Sequence, residues 1–154
     1  MSELTHLLTV NNMVALYPIP FIGGIAKRIN FLLGVDIPRS VVIGKGVKFP
    51  HNSFGTAIHN NTILEDNVKV YQNVTIGRAD VYKPREKSNP NFKGFHIKKG
   101  ACICAGAKIL CKEGTLVVGE NTVIAANAVL LQSTGDNEIW AGVPAKLIGY
   151  RDDL

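Results

Sequence analysis

Four histidines are the side chains in this sequence best suited to moving a proton near neutral pH: His6, His51, His59 and His96. A group transfer onto a hydroxyl needs such a base, because an alcohol is a poor nucleophile while it keeps its proton. His51 stands in Phe49-Pro50-His51-Asn52-Ser53-Phe54-Gly55, where a spacing described below is interrupted. A histidine at such a bend is, by itself, more often structural than catalytic. A carboxylate that fixes its tautomer would change that reading. His59 falls in a corner and reads as structural, and His6 is given no role. Cys102, Cys104 and Cys111 match neither a zinc pair nor a redox motif, and their odd number argues against a disulfide framework. They read as small residues packed in a core, in a cytoplasmic protein. No metal-ligand cluster is visible.

The elements that must carry these residues follow from a repeat. From Ile37 onward an aliphatic or aromatic residue returns every six positions: Ile37, Ile43, Phe49; then Ile58, Leu64, Val70, Ile76; then Ile97, Ile103, Ile109; then Val118, Ile124, Leu130. Small or β-branched residues sit four places after most anchors, as at Val41, Val68, Val74, Ala101, Ala107, Thr122 and Ala128. A period of six fits neither an α-helix nor a coiled coil. It fits a short flat strand followed by a corner, with one anchor pointing inward per side. Three such sides close a coil, and stacked coils make an all-β parallel β-helix whose backbone groups bond to the coils above and below. Two nine-residue gaps, Phe49 to Ile58 and Ile109 to Val118, mark places where a coil opens.

These signals divide the chain into a leader (1–34), a β-helix domain (35–150) and a tail (151–154). The segment 78–95, with Pro84, Pro90 and several charges, is expected as a loop extruded from one corner. Ile22 to Leu33 is expected to form an amphipathic helix that packs on the body or grazes a membrane surface. The 154 residues carry a formal net charge of +5. Their basic residues are scattered and aromatics are only 7%, which favours a phosphorylated small ligand over nucleic acid.

Four stretches together resemble a known family. Val35-Asp36-Ile37, Val70-Tyr71-Gln72-Asn73-Val74-Thr75-Ile76-Gly77, Ala105-Gly106-Ala107-Lys108-Ile109-Leu110 and Ala141-Gly142-Val143-Pro144-Ala145-Lys146 are similar to motifs of the hexapeptide-repeat acyltransferases. The likeness is closest to their serine acetyltransferase-like branch, which includes polysaccharide O-acetyltransferases. The resemblance implies a left-handed β-helix, an exception to the usual right-handed crossover. It implies a homotrimer with acetyl-CoA, the cosubstrate, lying between neighbouring copies and no metal. It makes His51 the catalytic base and Asp36 its partner acid. It places Ala105, Gly106 and Ala126 along the cofactor groove, with Lys146 near a CoA phosphate.

Departures from the family pattern bear on the acceptor. Pro50 stands where serine acetyltransferases carry an acid, and Gly94 stands where they carry a second histidine, with His96 two residues further on. The leader is similar to the short one of polysaccharide O-acetyltransferases. The expected acceptor is therefore a sugar hydroxyl in surface polysaccharide synthesis, with Arg78, Lys83, Arg85 and Lys87 available for a phosphate and His96 for the acceptor. Serine O-acetylation for cysteine synthesis is the alternative within enzymes, ahead of amino-sugar N-acetylation. A non-catalytic β-helix scaffold or binding protein is the alternative outside them.

Overall fold

The computed structural model describes residues 9–151, apart from the side chain of Arg85; His6 and the tail residues 152–154 lie outside the described residues. Among the described residues, two helices, α1 (Val10–Ala15) and α2 (Ile22–Leu32), precede the strands. Then come β1 (Val42–Ile43), β2 (Ala57–Ile58), β3 (Thr62–Leu64), β4 (Lys69–Val70), β5 (Thr75–Arg78), β6 (Phe92–Ile97) and β7 (Cys102–Ile103). The chain ends with β8 (Lys108–Cys111), β9 (Gly114–Val118), β10 (Val123–Ile124), β11 (Val129–Leu130), β12 (Glu138–Gly142) and β13 (Ala145–Tyr150).

The strands pair across coils and not along them. One sheet runs β1-β3-β6-β9, a second β2-β5-β8-β11, and a third β4-β7-β10-β12-β13. All these pairs are parallel except the closing β12–β13 hairpin. From β2 to β11 the chain visits the three sheets in a fixed order, so it winds as a three-sided coil.

The register shows why the six-residue spacing produces this. Ile43, Leu64, Ile97 and Val118 align in one column. Ile58, Ile76, Ile109 and Leu130 form the second, and Val70, Ile103, Ile124 and Trp140 the third. Each column points into the axis of the coil, and all the anchors except Ile43 are buried. Each such aliphatic side chain contributes about 1.5–3 kcal/mol of burial.

Corners are set by residues that tolerate a left-handed backbone. Gly55, Asn73, Gly106 and Asn127 have φ of 73, 58, 74 and 57° and stack on successive coils. A β-carbon on Gly106 would collide with Oδ1 of Asn127 below it. Glycine and asparagine therefore alternate, the asparagine side chain filling the space that glycine leaves.

One expectation is corrected. The extruded segment is shorter than 78–95, because Arg78 still belongs to β5 and Phe92–Ile97 is a strand inside a sheet. Phe95 supplies the reason: it is 2% exposed and sits in register with Thr62 and Leu116. The helix α2 does pack on the body, through Gly23, Ala26 and Asn30 with Ile29 half-buried beside them, while Ile22, Ile25, Phe31 and Leu32 face outward. Gly23 lies so close to the Tyr17 carbonyl that a side chain there would clash, and Asn30 Nδ2 donates to the Tyr17 hydroxyl at 2.9 Å.

Candidate active site

His51 lies in the first coil, in the tight turn Pro50–Ser53 that the nine-residue gap inserts. Three successive residues, His51, Asn52 and Ser53, have φ of 53, 54 and 42°. This reverses the chain sharply and leaves the imidazole exposed. Supports come from two sides. Ser53 is fully buried and its hydroxyl donates to the Val70 carbonyl of the next coil. From the leader, Asn11 Oδ1 accepts the Phe49 N–H at 2.9 Å, and Asn52 Oδ1 accepts the Val10 N–H at 3.4 Å.

Below this turn runs the corner between the third and second sheets. The Asn73 N–H donates to the Phe54 carbonyl, the Gly106 N–H to Gln72, and the Asn127 N–H to Ala105, each at 2.8–2.9 Å. The corner therefore places Ala126 one coil beyond Ala105 and Gly106 along a single edge. The Tyr71 ring, on the same edge, lies 6.2 Å from the His51 ring, centroid to centroid. At the foot of the edge, the Ala125 N–H donates to Trp140, and Lys146 stands exposed opposite Ala141 in the closing hairpin. Five of the expected site residues thus share one corner, with His51 at its head and Lys146 at its foot.

Oε1 of Gln72, buried on this corner, has no hydrogen-bond partner among the described residues. An unpaired buried acceptor is costly. A ligand or a neighbouring copy donating an N–H would satisfy it.

Asp36 extends the second sheet by one coil. Its N–H donates to the Thr56 carbonyl, and its own carbonyl accepts from Ile58, both at 2.9 Å. It therefore lies beside the segment that follows the His51 turn, with its side chain exposed. Among the described residues, no hydrogen bond joins the Asp36 carboxylate to the His51 ring. Its charge instead reaches Tyr17, whose hydroxyl burial pushes up in pKa, with Asp36 adding to the rise.

The remaining expected residues lie elsewhere on the chain. His96 is in β6, in the first sheet, with its Nε2 paired to the Glu65 carboxylate. Glu65 also accepts the Lys99 N–H at 2.9 Å. Arg78 is committed within its own loop: Nε and Nη2 each donate to Asp80 at 2.8 Å, Nη2 reaches the Asn89 carbonyl, and the guanidinium stacks over Phe92 at 4.4 Å. These bonds hold Arg78 as the strut of the loop, and the geometry gives no support to a role on a substrate phosphate. The backbone of Arg85 opens the short turn Arg85–Lys87. His59 packs edge-on against Phe92 and accepts the Asn61 N–H at Nδ1, the arrangement of a structural histidine. Burial and the Arg78 charge push its pKa down. Among the described residues, no group of histidine, cysteine and carboxylate side chains is placed to hold a metal.

Sequence reasoning alone does not find Asn11 and Asn52 as supports of the turn. They carry no periodic signal, and their partners lie 38 and 42 residues away. Gln72 is visible as part of a motif, but not as an unpaired acceptor.

No protein-family model matches the chain. Individual proteins do. A putative serine acetyltransferase of Schizosaccharomyces pombe is 35% identical over 116 residues, covering 75% of this chain and 39% of the relative. The serine acetyltransferase of Haemophilus influenzae is 31% identical over 148 residues, covering 95% of this chain and 49% of the relative. Among solved structures, Brucella abortus serine acetyltransferase in complex with coenzyme A matches with a TM-score of 0.68 at 28% identity, covering 94% of this chain and 55% of that one.

Stacked parallel coils with anchors every six residues, and a small-residue corner headed by a histidine, define a hexapeptide-repeat protein. With these relatives, the chain belongs to the hexapeptide-repeat acyltransferase family, in its serine acetyltransferase-like branch. It spans less than half the length of the two relatives named.

Proposed function

We propose that this chain is an acetyl-CoA-dependent O-acetyltransferase of the serine acetyltransferase type, with free serine as the acceptor to test first. The observation that carries the reading is the corner itself. An exposed histidine stands at the head of an edge of small residues whose backbone is open to an extended ligand, and a lysine stands at its foot. The pantetheine arm would run along Ala105, Gly106 and Ala126. Lys146 would meet a CoA phosphate as a point charge.

His51 would take the proton from the acceptor hydroxyl as its oxygen attacks the thioester carbonyl. Collapse of the tetrahedral oxyanion expels the CoA thiolate, which recovers the proton from the imidazolium. The products are the O-acetyl ester and free CoA. A positioned base of this kind is worth about 10²–10⁴ in rate. Asp36 would act by orienting His51 and stabilising the imidazolium. Since no bond joins the two within the described chain, that role needs a shift of the exposed Asp36 side chain.

A homotrimer of left-handed coils, with the groove walled by two copies, fits the likeness to solved serine acetyltransferases. It would also let another copy bring His96 toward this corner, which one chain does not do.

The relatives favour serine over the sugar acceptor expected from the sequence, because the Haemophilus influenzae and Brucella abortus proteins are serine acetyltransferases and the Schizosaccharomyces pombe protein is a putative one. The specific observation on the other side is Pro50 and Gly94 in place of the acid and histidine of that branch. A thiol-release assay with acetyl-CoA decides between them. Release with L-serine and not with UDP-sugars or oligosaccharides supports the serine reading. The converse restores the sugar reading, and no release with any acceptor, together with no binding of CoA, leaves the scaffold reading.

A further inference from the structure

Helix α2 is built inside out. Its buried face holds the small or polar residues Gly23, Ala26 and Asn30, with only Ile29 of its large apolar residues packed inward beside them. On the opposite face Phe21 is 90% exposed, Ile25 58% and Leu32 85%, with Phe31 beside them at 64%. A surface helix of a soluble domain normally turns its apolar stripe to the core. The stripe here is rimmed by cations. Arg28 lies within it, Lys27 borders Phe31 and Leu32, and Arg39 lines the same shallow depression as Phe21 and Ile25. From Thr9 to Val35 the sequence contains no Asp or Glu.

Phe21 adds a second, independent observation. The Ile22 N–H donates to the Pro20 carbonyl at 2.7 Å, closing a γ-turn about Phe21 with φ of 63°. That turn is rare and strained for a residue with a β-carbon. With its ring almost wholly exposed, Phe21 gains little from packing in return. Strain of this kind collects where a residue is held for function.

We infer that α2 docks the protein on an anionic lipid surface. Phe21, Ile25, Phe31 and Leu32 enter the boundary between headgroups and acyl chains, and Lys27 and Arg28 lie level with the phosphates. A second copy related by a two-fold axis fits this face less well. A two-fold contact would bring Arg28 close to its own copy, with no carboxylate on the helix to pair it. No described helix is long and apolar enough to cross a membrane, so the contact is peripheral. This inference stands apart from the acetyl-transfer reading, since the outward face of α2 contributes nothing to the corner that carries His51.

The test is co-sedimentation of the full chain with phosphatidylcholine vesicles, with and without phosphatidylglycerol. The protein is expected to bind the anionic vesicles and to lose binding as salt rises. Phe21→Gly suits the positive φ and preserves the fold while deleting the ring. It and Leu32→Ser should each weaken partitioning about tenfold. Arg28→Glu should abolish the preference for anionic lipid. Acetyl transfer in solution should be unchanged in Leu32→Ser, so the two readings fail separately. No binding to anionic vesicles overturns the inference, as does binding that Phe21→Gly and Leu32→Ser leave intact. If those variants instead shed a higher oligomer while wild type ignores vesicles, the face joins copies of the chain and the lipid surface is wrong.

Discussion

Oδ1 of Asn11 accepts a hydrogen bond from the backbone N–H of Phe49 at 2.9 Å. With the Val10–Asn52 bond it clamps the leader helix α1 across both sides of the His51 turn. Three successive non-glycine residues in the left-handed region cost on the order of 1–3 kcal/mol each, and such a turn persists only where its surroundings over-determine it. The buried Ser53 hydroxyl holds the turn from below, and Asn11 holds it from above.

Asn11→Ala should therefore lower stability by about 1 kcal/mol, the usual net worth of one hydrogen bond. It should also lower kcat severalfold while leaving the KM for acetyl-CoA unchanged, because the turn moves and the cofactor edge does not. In a His51→Ala background the same change should cost kcat nothing further. Steady-state kinetics of the four proteins in the cycle check this; additive losses would show that Asn11 does not act through His51.

Replacing His51 by alanine should cut kcat by about 10²–10⁴ with the fold and acetyl-CoA affinity retained. His59→Ala and His96→Ala should lose far less, since one is packed against Phe92 and the other is tied to Glu65 in another sheet. Asp36→Asn should fall between. Rates measured with the best acceptor, beside calorimetric affinity for CoA, give the answer. A His51→Ala enzyme turning over at the wild-type rate would place the base elsewhere.

Gly106→Ala puts a β-carbon into Oδ1 of Asn127 at a φ of 74° and should destabilise by roughly 1–3 kcal/mol. It should weaken CoA binding as well, because the displaced backbone lies on the proposed groove. Adding Asn127→Gly removes the struck side chain at a φ that glycine accepts, and should recover part of the loss. Thermal denaturation of the single and double variants tests the pairing; a double variant no better than Gly106→Ala would mean that the strain lies in φ alone.

Asp80 is buried, and two hydrogen bonds from Arg78 and one from the Asn89 N–H hold its carboxyl well below the usual carboxylate range. The folded chain then binds fewer protons than the unfolded chain as pH falls through about 4. The stabilisation is present above that pH and is lost progressively below it. Acid should loosen the loop between β5 and β6 first. The melting temperature of Asp80→Asn should fall less than that of wild type between about pH 7 and pH 3. Parallel falls would remove the Arg78–Asp80 pair from the explanation.

The coil was legible because its rule is local and repetitive. An inward residue every six positions, from Ile37 to Leu130, implies a strand and a corner per repeat whatever the rest of the chain does. The nine-residue gap after Phe49 likewise marked the place where His51 leaves the regular coil. Phe95 misled the loop boundary, because aromatic residues among charges and prolines look like loop until a neighbouring strand is there to bury them. Helix α2 was legible as an amphipathic segment, but which face turns inward depends on Tyr17 and the first coil. The close approach at Gly23 admits only small residues on that side.

The sequence by itself therefore determined the repeat and the three buried columns it generates, which follow from spacing and residue type along the chain. His51 as the candidate base came from the family resemblance carried by its motifs. Only the tertiary structure decided which of the candidates share a corner. Stacking brought His51, Ala105, Gly106, Ala126 and Lys146 onto one edge, and it set His96 on another sheet and committed Arg78 to Asp80. The reason is physical. A corner is assembled from residues tens of positions apart, and whether a cation is free or paired is settled by the neighbours that the fold supplies.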